Sequence, residues 1–254
     1  MEFKALVSSE VEKNYISEIK TRNIDDLPKG EVLIKVNFSS LNYKDALSAI
    51  GNKGVSRNYP HTPGIDAAGI VEFSETDKYK KGDEVIVTGY DLGMNTSGGF
   101  SEFVRVPEAW VVKKPLEISL SETMALGTAG LTAGLCVRKL LNHGIKPEMG
   151  KLFVTGATGG VGIVAMMLLS KLGFEVTAIT GKMDSEELLK KYGASEVVAR
   201  GEFDQKLLSP LQKSIFAGGV DAVGGDILSN LLTSTSQRAA ISCCGMVNGA
   251  ELKT

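Results

Sequence analysis

The chain has 254 residues, of which 43% are hydrophobic and 23% charged, and its formal net charge is −2. This is the composition of a globular protein large enough for one large domain or two modest ones, and the near-neutral charge argues against a nucleic-acid or anionic-membrane surface. No apolar run reaches the length of a membrane span, and the first residues lack the basic and apolar regions of a signal peptide.

Residues 1–118 alternate short β-rich runs with turn residues. The runs are EVLIKVNFSS, GIDAAGIVEF, GDEVIVTGY, FSEFVRVP and AWVVKKP. Their spacing predicts a compact, mainly antiparallel or barrel-like β domain. Between the first two runs, LNYKDALSAIG predicts a short helix or loop.

Residues 119–254 follow a different rhythm. Ser119 and Ser121 are possible N-caps, and SLSETMALGTAGLTAGLCVRKLLNHG predicts one long helix. The strand-like runs that follow are KLFVT, FEVTAIT, EVVAR, GVDAVGG and AAISCCG, with helical stretches such as VGIVAMMLLSKLG and SEELLKKYG between them. This βαβ alternation predicts an α/β domain with a doubly wound parallel sheet, the Rossmann fold. Such a sheet has about six strands; because only five are found, the sequence predicts a chain truncated at its C-terminus.

The loop VTGATGGVG at 154–162 separates a strand-like run from an apolar helix. Its glycines permit a tight turn and a close approach of the backbone to a pyrophosphate, which the helix N-terminus also attracts. We expect Thr158, Gly159, Gly160 and Val161 to contact a dinucleotide. The alternative is a glycine-rich turn that binds nothing.

The next strand-like run ends at Thr180, followed by Gly181 and Lys182. A site for NADH usually has an acidic residue here to hold the ribose 2′-hydroxyl. A hydroxyl, an open backbone and a cation suit a 2′-phosphate instead, and Arg200 at the end of the third run could reach the same place. The sequence therefore predicts NADPH as cofactor, unless these cations are merely solvated loop residues.

The three cysteines, Cys136, Cys243 and Cys244, are too few to predict a disulfide framework. We expect reduced thiols and a cytoplasmic protein. Cys243 and Cys244 end an apolar run, so core packing is favoured over a redox role.

The glycine loop fits two dehydrogenase families. Short-chain dehydrogenases need a Tyr-x-x-x-Lys pair well downstream of the loop, and the one downstream tyrosine, Tyr192, is followed by Gly-Ala-Ser-Glu. A β domain ahead of a late dinucleotide-binding domain resembles the medium-chain dehydrogenase/reductase superfamily instead. Zinc-dependent members carry Gly-His-Glu where this chain has Gly64-Ile65-Asp66. With only His61 and His143, and no cysteine before Cys136, we expect no metal site.

Six blocks together resemble the zinc-free, quinone oxidoreductase-like YhdH/YhfP group, whose members include acrylyl-CoA reductase. The blocks are SSLNYKDALSAIG, RNYPHTPGIDAAG, GTAGLTA, VTGATGGVG, LKKYGASEVVAR and GVDAVGG. The resemblance implies a GroES-like β-barrel domain, a homodimer, and family members that continue past Thr254. It places Tyr43 beside the nicotinamide. Tyr43, as a hydrogen-bond donor or proton relay, and Asp45 in the same motif are the candidate catalytic residues.

Other readings of these residues stay open. Asn42 and Asp45 could cap a short helix while Tyr43 simply packs, and Asp45 could orient its neighbours. After the fifth strand-like run, Gly245 and Met246 are expected to line the nicotinamide ribose pocket.

The leading hypothesis is a zinc-independent, NADPH-dependent reductase that transfers hydride to an activated C=C bond. The expected partner is a small molecule, an enoyl thioester or a quinone, and neither nucleic acid nor membrane. An NADPH:quinone oxidoreductase is the alternative activity. A different class is a nonenzymatic NADPH-binding regulator.

Overall fold

The computed structural model describes residues 1–12, 14–204, 213–249 and 251–252. Its strands and helices are β1 Glu2–Val11, β2 Asn14–Asn23, β3 Val32–Phe38, α1 Tyr43–Ala49, β4 Asp66–Ser74, β5 Glu84–Thr88, β6 Phe103–Val106, β7 Val111–Lys113, α2 Leu120–Asn142, β8 Leu152–Thr155, α3 Gly160–Lys171, β9 Val176–Thr180, α4 Glu186–Lys191, β10 Glu196–Ala199, β11 Phe216–Asp221, α5 Gly225–Thr233 and β12 Thr235–Cys243. The chain divides into two compact units, Met1–Thr128 and Ala129–Thr254. The boundary predicted from the sequence, 118/119, lies earlier, just before α2.

The first unit is built on a five-stranded antiparallel sheet. Its strand order is β6-β3-β4-β5-β7. Valine, isoleucine and alanine side chains on one face of this sheet are buried, and Tyr79 and Leu92 pack against them. The predicted antiparallel β domain is therefore confirmed, and each of the five runs contains one of these strands.

The first two strands were not among the predicted runs. β1 and β2 pair along their whole length as an antiparallel hairpin, from Glu2 opposite Asn23 to Val11 opposite Asn14. β1 buries Phe3, Ala5 and Val7 in alternation, which is a half-buried strand pattern. The β2 sequence NYISEIKTRN is mostly exposed and charged, so it lacks the apolar signal of a strand.

The long helix α2 is interrupted, contrary to the prediction of one continuous helix. Gly127 has φ 49° and ψ −152°, which is not helical. Ser119 does cap the helix, since its hydroxyl accepts from the Glu122 N–H at 3.3 Å. Among the described residues, α2 alone has the length and apolar content of a membrane span, but Ala133 and Leu140 pack in the core of the second unit.

The second unit is a five-stranded, entirely parallel sheet with strand order β10-β9-β8-β11-β12. In order along the chain this is 3-2-1-4-5, the doubly wound arrangement that reverses direction between β8 and β11. The predicted Rossmann-type sheet is thus confirmed. Helix α5 lies between β11 and β12, a segment for which the sequence pattern specified no helix.

The core of the second unit joins the sheet to α2, α3 and α4. Fully buried members include Leu152 and Val154 of β8, Met166 and Leu169 of α3, and Leu189 of α4. Helix α3 packs one face on this core, since Ala165, Met166 and Leu169 are buried while Met167 is exposed.

The cysteines differ from their predicted environment. Cys136 is buried in this core, whereas Cys243 and Cys244 are exposed. The expectation that both residues of the pair pack in the core is wrong, because they lie at the end of β12, which among the described strands pairs only with β11.

We predict that Gly127→Ala lowers the free energy of unfolding by at least about 2 kcal/mol, because its backbone conformation is one that only glycine adopts readily. The new Cβ would also lie 2.7 Å from Asp66 Oδ2 and closer still to Ser40 Oγ. Urea denaturation measures the change.

Gly134→Ala is the matched control in the same helix. A Cβ at Gly134 meets nothing within 4 Å, so this substitution should stabilise the protein by up to about 1 kcal/mol. Equal effects of the two substitutions would contradict the interrupted helix.

Candidate active site

The glycine loop turns tightly between β8 and α3. Gly156 has φ 60°, and its carbonyl accepts from the Gly159 N–H at 2.8 Å. A Cβ at Gly162 would overlap the Gly156 carbonyl oxygen and lie 2.8 Å from the Ala157 Cα. The helix can therefore begin this close to the strand only because glycine occupies position 162.

The predicted dinucleotide contacts lie together in this turn. Thr158 and Val161 are half-buried, and Gly159 and Gly160 are exposed at the N-terminus of α3. The first N–H groups of a helix have no partner within it and carry the positive end of the helix dipole. The backbone here is open to an anionic group such as a pyrophosphate.

A buried pair joins the carboxyl ends of the two central strands. Thr155 at the end of β8 donates its hydroxyl to Asp221 Oδ1 at 2.6 Å, and Asp221 Oδ2 accepts from the Gly224 N–H at 2.9 Å. The Ala222 N–H donates back to Thr155 Oγ1 at 3.0 Å. The strand order reverses at this point, where ligands of doubly wound sheets bind. Sequence reasoning missed the pair, since only the strand order reveals that the two residues are neighbours.

The segment after β12 folds back onto the same edge of the sheet. The Asn248 N–H donates to the Val223 carbonyl at 2.8 Å, and a Cβ at Gly245 would lie 2.7 Å from the Ala222 carbonyl carbon. Gly245 therefore packs closely on the turn after β11, and Met246 is exposed beside it. Both predicted residues thus lie near the point where the strand order reverses.

Two cations flank the end of β9. Thr180 is buried, pairs with Ala199 of β10, and accepts from the Lys182 N–H at 3.0 Å. The Arg200 guanidinium lies 3.6–3.9 Å from where a Gly181 Cβ would be. Lys182 and Arg200 are both exposed, so the structure brings the four predicted residues around one open, basic corner of the sheet.

The motif Asn-Tyr-Lys-Asp forms the start of α1. The Asn42 N–H donates to Asp45 Oδ2 at 2.8 Å, and Asp45 Oδ1 accepts from the Gly64 and Ile65 N–H groups at 3.2 and 2.9 Å. Burial raises the pKa of the Asp45 carboxyl, and these backbone hydrogen bonds oppose the rise. Tyr43 is 69% exposed. The structure therefore fixes the backbone around Tyr43 and leaves its side chain open.

A second buried carboxylate, Asp66 at the start of β4, holds the same motif from the other side. Asp66 Oδ2 accepts from Asn42 Nδ2 at 2.8 Å and from the Thr128 N–H at 3.0 Å, and Oδ1 accepts from Thr128 Oγ1 at 2.7 Å. Its carbonyl accepts from Ser39 Oγ at 2.6 Å. In the sequence, Asp66 stands out only as the last residue of the Gly64-Ile65-Asp66 motif, which predicts no role for it.

Asp66 also explains the interruption of α2. Gly127 leaves the helical conformation directly before Thr128, so the helical turns that continue from Thr128 begin at the Asp66 carboxylate. A negative charge at a helix start is favourable there. Asn42 and Thr128 thus both donate hydrogen bonds to one buried carboxylate, that of Asp66.

Histidine does not form a metal site in the described part of the chain. His61 is buried, its Nε2 has no hydrogen-bond partner, and burial lowers its pKa. Within the described ranges no group of three or more His, Cys, Asp or Glu side chains is placed to hold a metal ion.

Two protein-family models match the chain. The alcohol dehydrogenase GroES-like domain matches residues 28–116, and the zinc-binding dehydrogenase model matches 160–253. The first spans the antiparallel sheet and the second spans most of the parallel sheet. At the position where the superfamily's zinc enzymes carry histidine, this chain has Ile65.

Curated relatives align along nearly the whole chain. Acrylyl-CoA reductase AcuI of Ruegeria pomeroyi is 42% identical over 252 residues, which are 98% of this chain and 76% of that protein. YhfP of Bacillus subtilis, whose name gives quinone oxidoreductase as a provisional activity, is 42% identical over 250 residues, 98% of this chain and 76% of its own.

Solved structures agree with the fold. The yhdH oxidoreductase of Salmonella enterica in complex with NADP is 39% identical with a TM-score of 0.95, covering 100% of this chain and 77% of that one. The Bacillus subtilis yhfP structure with NAD bound is 42% identical with a TM-score of 0.95, covering 99% and 77%.

We predict that Asp66→Asn lowers the free energy of unfolding by about 2 kcal/mol, because its amide donor would face the donors of Asn42 or Thr128 and leave a buried group unpaired. Asp77→Asn, at an exposed position, should change stability by less than about 0.5 kcal/mol. Urea denaturation of both variants checks the contrast; similar midpoints would mean that the Asp66 contacts do not stabilise the fold.

Proposed function

Since the chain belongs to the zinc-free, quinone oxidoreductase-like branch of the medium-chain dehydrogenase/reductases, as YhfP, AcuI and YhdH do, we propose that it is an NADPH-dependent reductase of activated C=C bonds. One observation carries the cofactor choice: Lys182 and Arg200 flank the end of β9, and the first acidic residue after that strand is Asp184. A 2′-phosphate meets two cations there, whereas a 2′-hydroxyl finds no carboxylate at the strand end.

The glycine loop fits the rest of the cofactor. Its backbone at Gly159 and Gly160 would accept the pyrophosphate, next to the half-buried Thr158 and Val161. Gly245 and Met246 would lie along the nicotinamide ribose, as the family resemblance implies. The NAD bound to the yhfP structure shows that a relative takes the unphosphorylated cofactor, so preference here rests on the charges at Lys182 and Arg200.

Bound NADPH would supply a hydride for the β-carbon of a double bond conjugated to a carbonyl. Negative charge then develops on the substrate's carbonyl oxygen and needs a hydrogen-bond donor. We propose that the exposed Tyr43 hydroxyl is this donor and relays a proton toward the α-carbon. Asp45, with both oxygens engaged by backbone N–H groups, is a positioning residue for Tyr43 in this proposal.

The substrate class is an enoyl thioester. Acrylyl-CoA reductase AcuI is 42% identical over 98% of this chain, which supports this class. A quinone is the second candidate, favoured by the name of the equally similar YhfP. We further propose that the protein acts as a cytoplasmic homodimer, with neither nucleic acid nor membrane as partner.

The decisive experiment follows NADPH oxidation with acrylyl-CoA and with a simple quinone, side by side. We expect turnover with the thioester, and NADPH to be preferred over NADH by about tenfold or more, the value of a charge-assisted phosphate contact. Consumption of NADPH with the quinone alone would replace the substrate assignment. Cofactor binding without turnover on either acceptor would favour the regulator hypothesis.

Arg200→Ala tests the proposed preference for NADPH. It should lower kcat/KM for NADPH by about tenfold, with little effect on kcat/KM for NADH. Lys191→Ala, which removes an exposed cation on α4, should change neither value.

We predict that Tyr43→Phe lowers kcat with acrylyl-CoA by about 100-fold, the usual effect of removing one donor to a developing oxyanion, while the dissociation constant for NADPH stays near its original value. Tyr90→Phe is the matched control, because Tyr90 is similarly exposed at 61% and its hydroxyl donates to the Ala109 carbonyl. Equal kcat for Tyr43→Phe and the unmodified protein would remove Tyr43 from the mechanism.

A further inference from the structure

All three cysteines lie near the end of β12. The Ser242 hydroxyl donates to the Cys136 carbonyl at 3.0 Å, which places this turn of α2 against the end of the strand. The Cys244 N–H donates to the Asp221 carbonyl at 2.8 Å and so fixes Cys244 beside β11. Helix α2 and the segment after β12 therefore meet at these thiols.

The Cys136 and Cys244 thiols lie beside each other, since each perturbs the pKa of the other. The Cys244 S–H donates to the Asp221 carbonyl, 3.4 Å from Sγ. The contact with Cys244 lowers the pKa of Cys136 to about 7, and the same contact raises the pKa of Cys244. Cys136 is therefore the more readily ionised, and so the more nucleophilic, of the two thiols, with a second sulfur beside it.

Cys243 differs from its neighbours. Burial raises the pKa of its thiol, and in the described part of the chain that thiol makes one long hydrogen bond, 4.0 Å to the Ile241 carbonyl. The chain thus carries a built-in comparison between a paired and an adjacent unpaired thiol.

We infer that Cys136 and Cys244 form a redox-modification site that a peroxide converts reversibly into a disulfide. A peroxide is small enough to reach Cys136, which is 7% exposed. In reducing compartments such disulfides are usually transient and regulatory.

The oxidation of the two thiols takes place in two steps. The Cys136 thiolate attacks one peroxide oxygen, the O–O bond breaks, and the departing hydroxide takes up a proton to become water, leaving a sulfenic acid. The Cys244 sulfur then loses its proton and attacks the Cys136 sulfur, so that an S–S bond forms and a second water leaves. Two thiols are oxidised by two electrons, and one hydrogen peroxide is reduced to two waters.

We expect the Cys136–Cys244 disulfide to affect the edge of the parallel sheet where the cofactor is proposed to bind. Gly245 follows Cys244 directly and packs on Ala222 of the turn after β11. The disulfide would tether this segment to α2 and hold the backbone next to Met246 in place. We therefore expect oxidation to alter NADPH affinity.

The test exposes the folded full chain to hydrogen peroxide, alkylates the remaining thiols, and maps the peptides by mass spectrometry. We expect a bridged peptide pair that contains Cys136, and one free thiol of the three, with all three restored by dithiothreitol. Because Cys243 and Cys244 share a tryptic peptide, variants identify the partner sulfur.

Cys243→Ser should form the bridge as the unmodified chain does. Cys244→Ser, at an exposed position, should form none and should instead accumulate a dimedone-reactive sulfenic acid on Cys136. The inference is overturned if the bridge uses Cys243, if it forms only between chains, or if Cys136 stays reduced while the other two thiols react singly.

A second readout is NADPH titration of the reduced and oxidised protein, and it rests on the proposed function. We expect the dissociation constant to change by at least about fivefold, the low end of ordinary coupling between sites, and to return on reduction. An unchanged dissociation constant would show that disulfide formation does not affect NADPH binding. A reduced protein that binds no NADPH contradicts the proposed function and leaves the peptide-mapping result intact.

Discussion

The buried Asp66 carboxylate is the constraint on which the arrangement of the first unit depends. A buried anion is costly unless every oxygen is hydrogen-bonded, and Asp66 meets this requirement only with Asn42 and Thr128 in their observed places. That requirement forces α2 to restart at Thr128, and hence forces glycine at 127. It also fixes the residue before Tyr43, so one acceptor determines the path of two separate segments.

Asp221 has the same role in the second unit. Its carboxylate binds the Thr155 hydroxyl and the Gly224 N–H, and its carbonyl binds the Cys244 N–H. The two central strands and the segment after β12 therefore depend on one side chain at the edge where the strand order reverses. In both units the buried acids accept hydrogen bonds from groups that must stay in place, while Tyr43, Lys182 and Arg200, which are proposed to meet ligands, remain exposed. Rigid support for the contacting residues is what catalysis by positioning requires.

The sequence predicts the parallel sheet well, because its strands are continuous apolar runs between a glycine loop and helices. It does not predict β2, whose exposed, charged residues carry no strand pattern, nor the break at Gly127, which only the distant Asp66 explains. The Thr155–Asp221 pair and the contact between Cys136 and Cys244 join residues far apart in sequence. Periodicity reports which face of an element is buried, and it contains no information about which buried polar groups meet.

The kind of acceptor follows from what α1 presents. Tyr43 offers a single neutral O–H donor, and Asp45 and Asp66 have their oxygens engaged by neighbouring N–H and hydroxyl groups. One neutral donor is worth about 3–4 kcal/mol to a developing oxyanion, so much of the charge must be delocalised by the acceptor itself. A carbonyl conjugated to the reacting double bond does this, and so does a quinone ring. Our proposal of an activated C=C bond thus rests on the weak polarising power of Tyr43 as well as on the family.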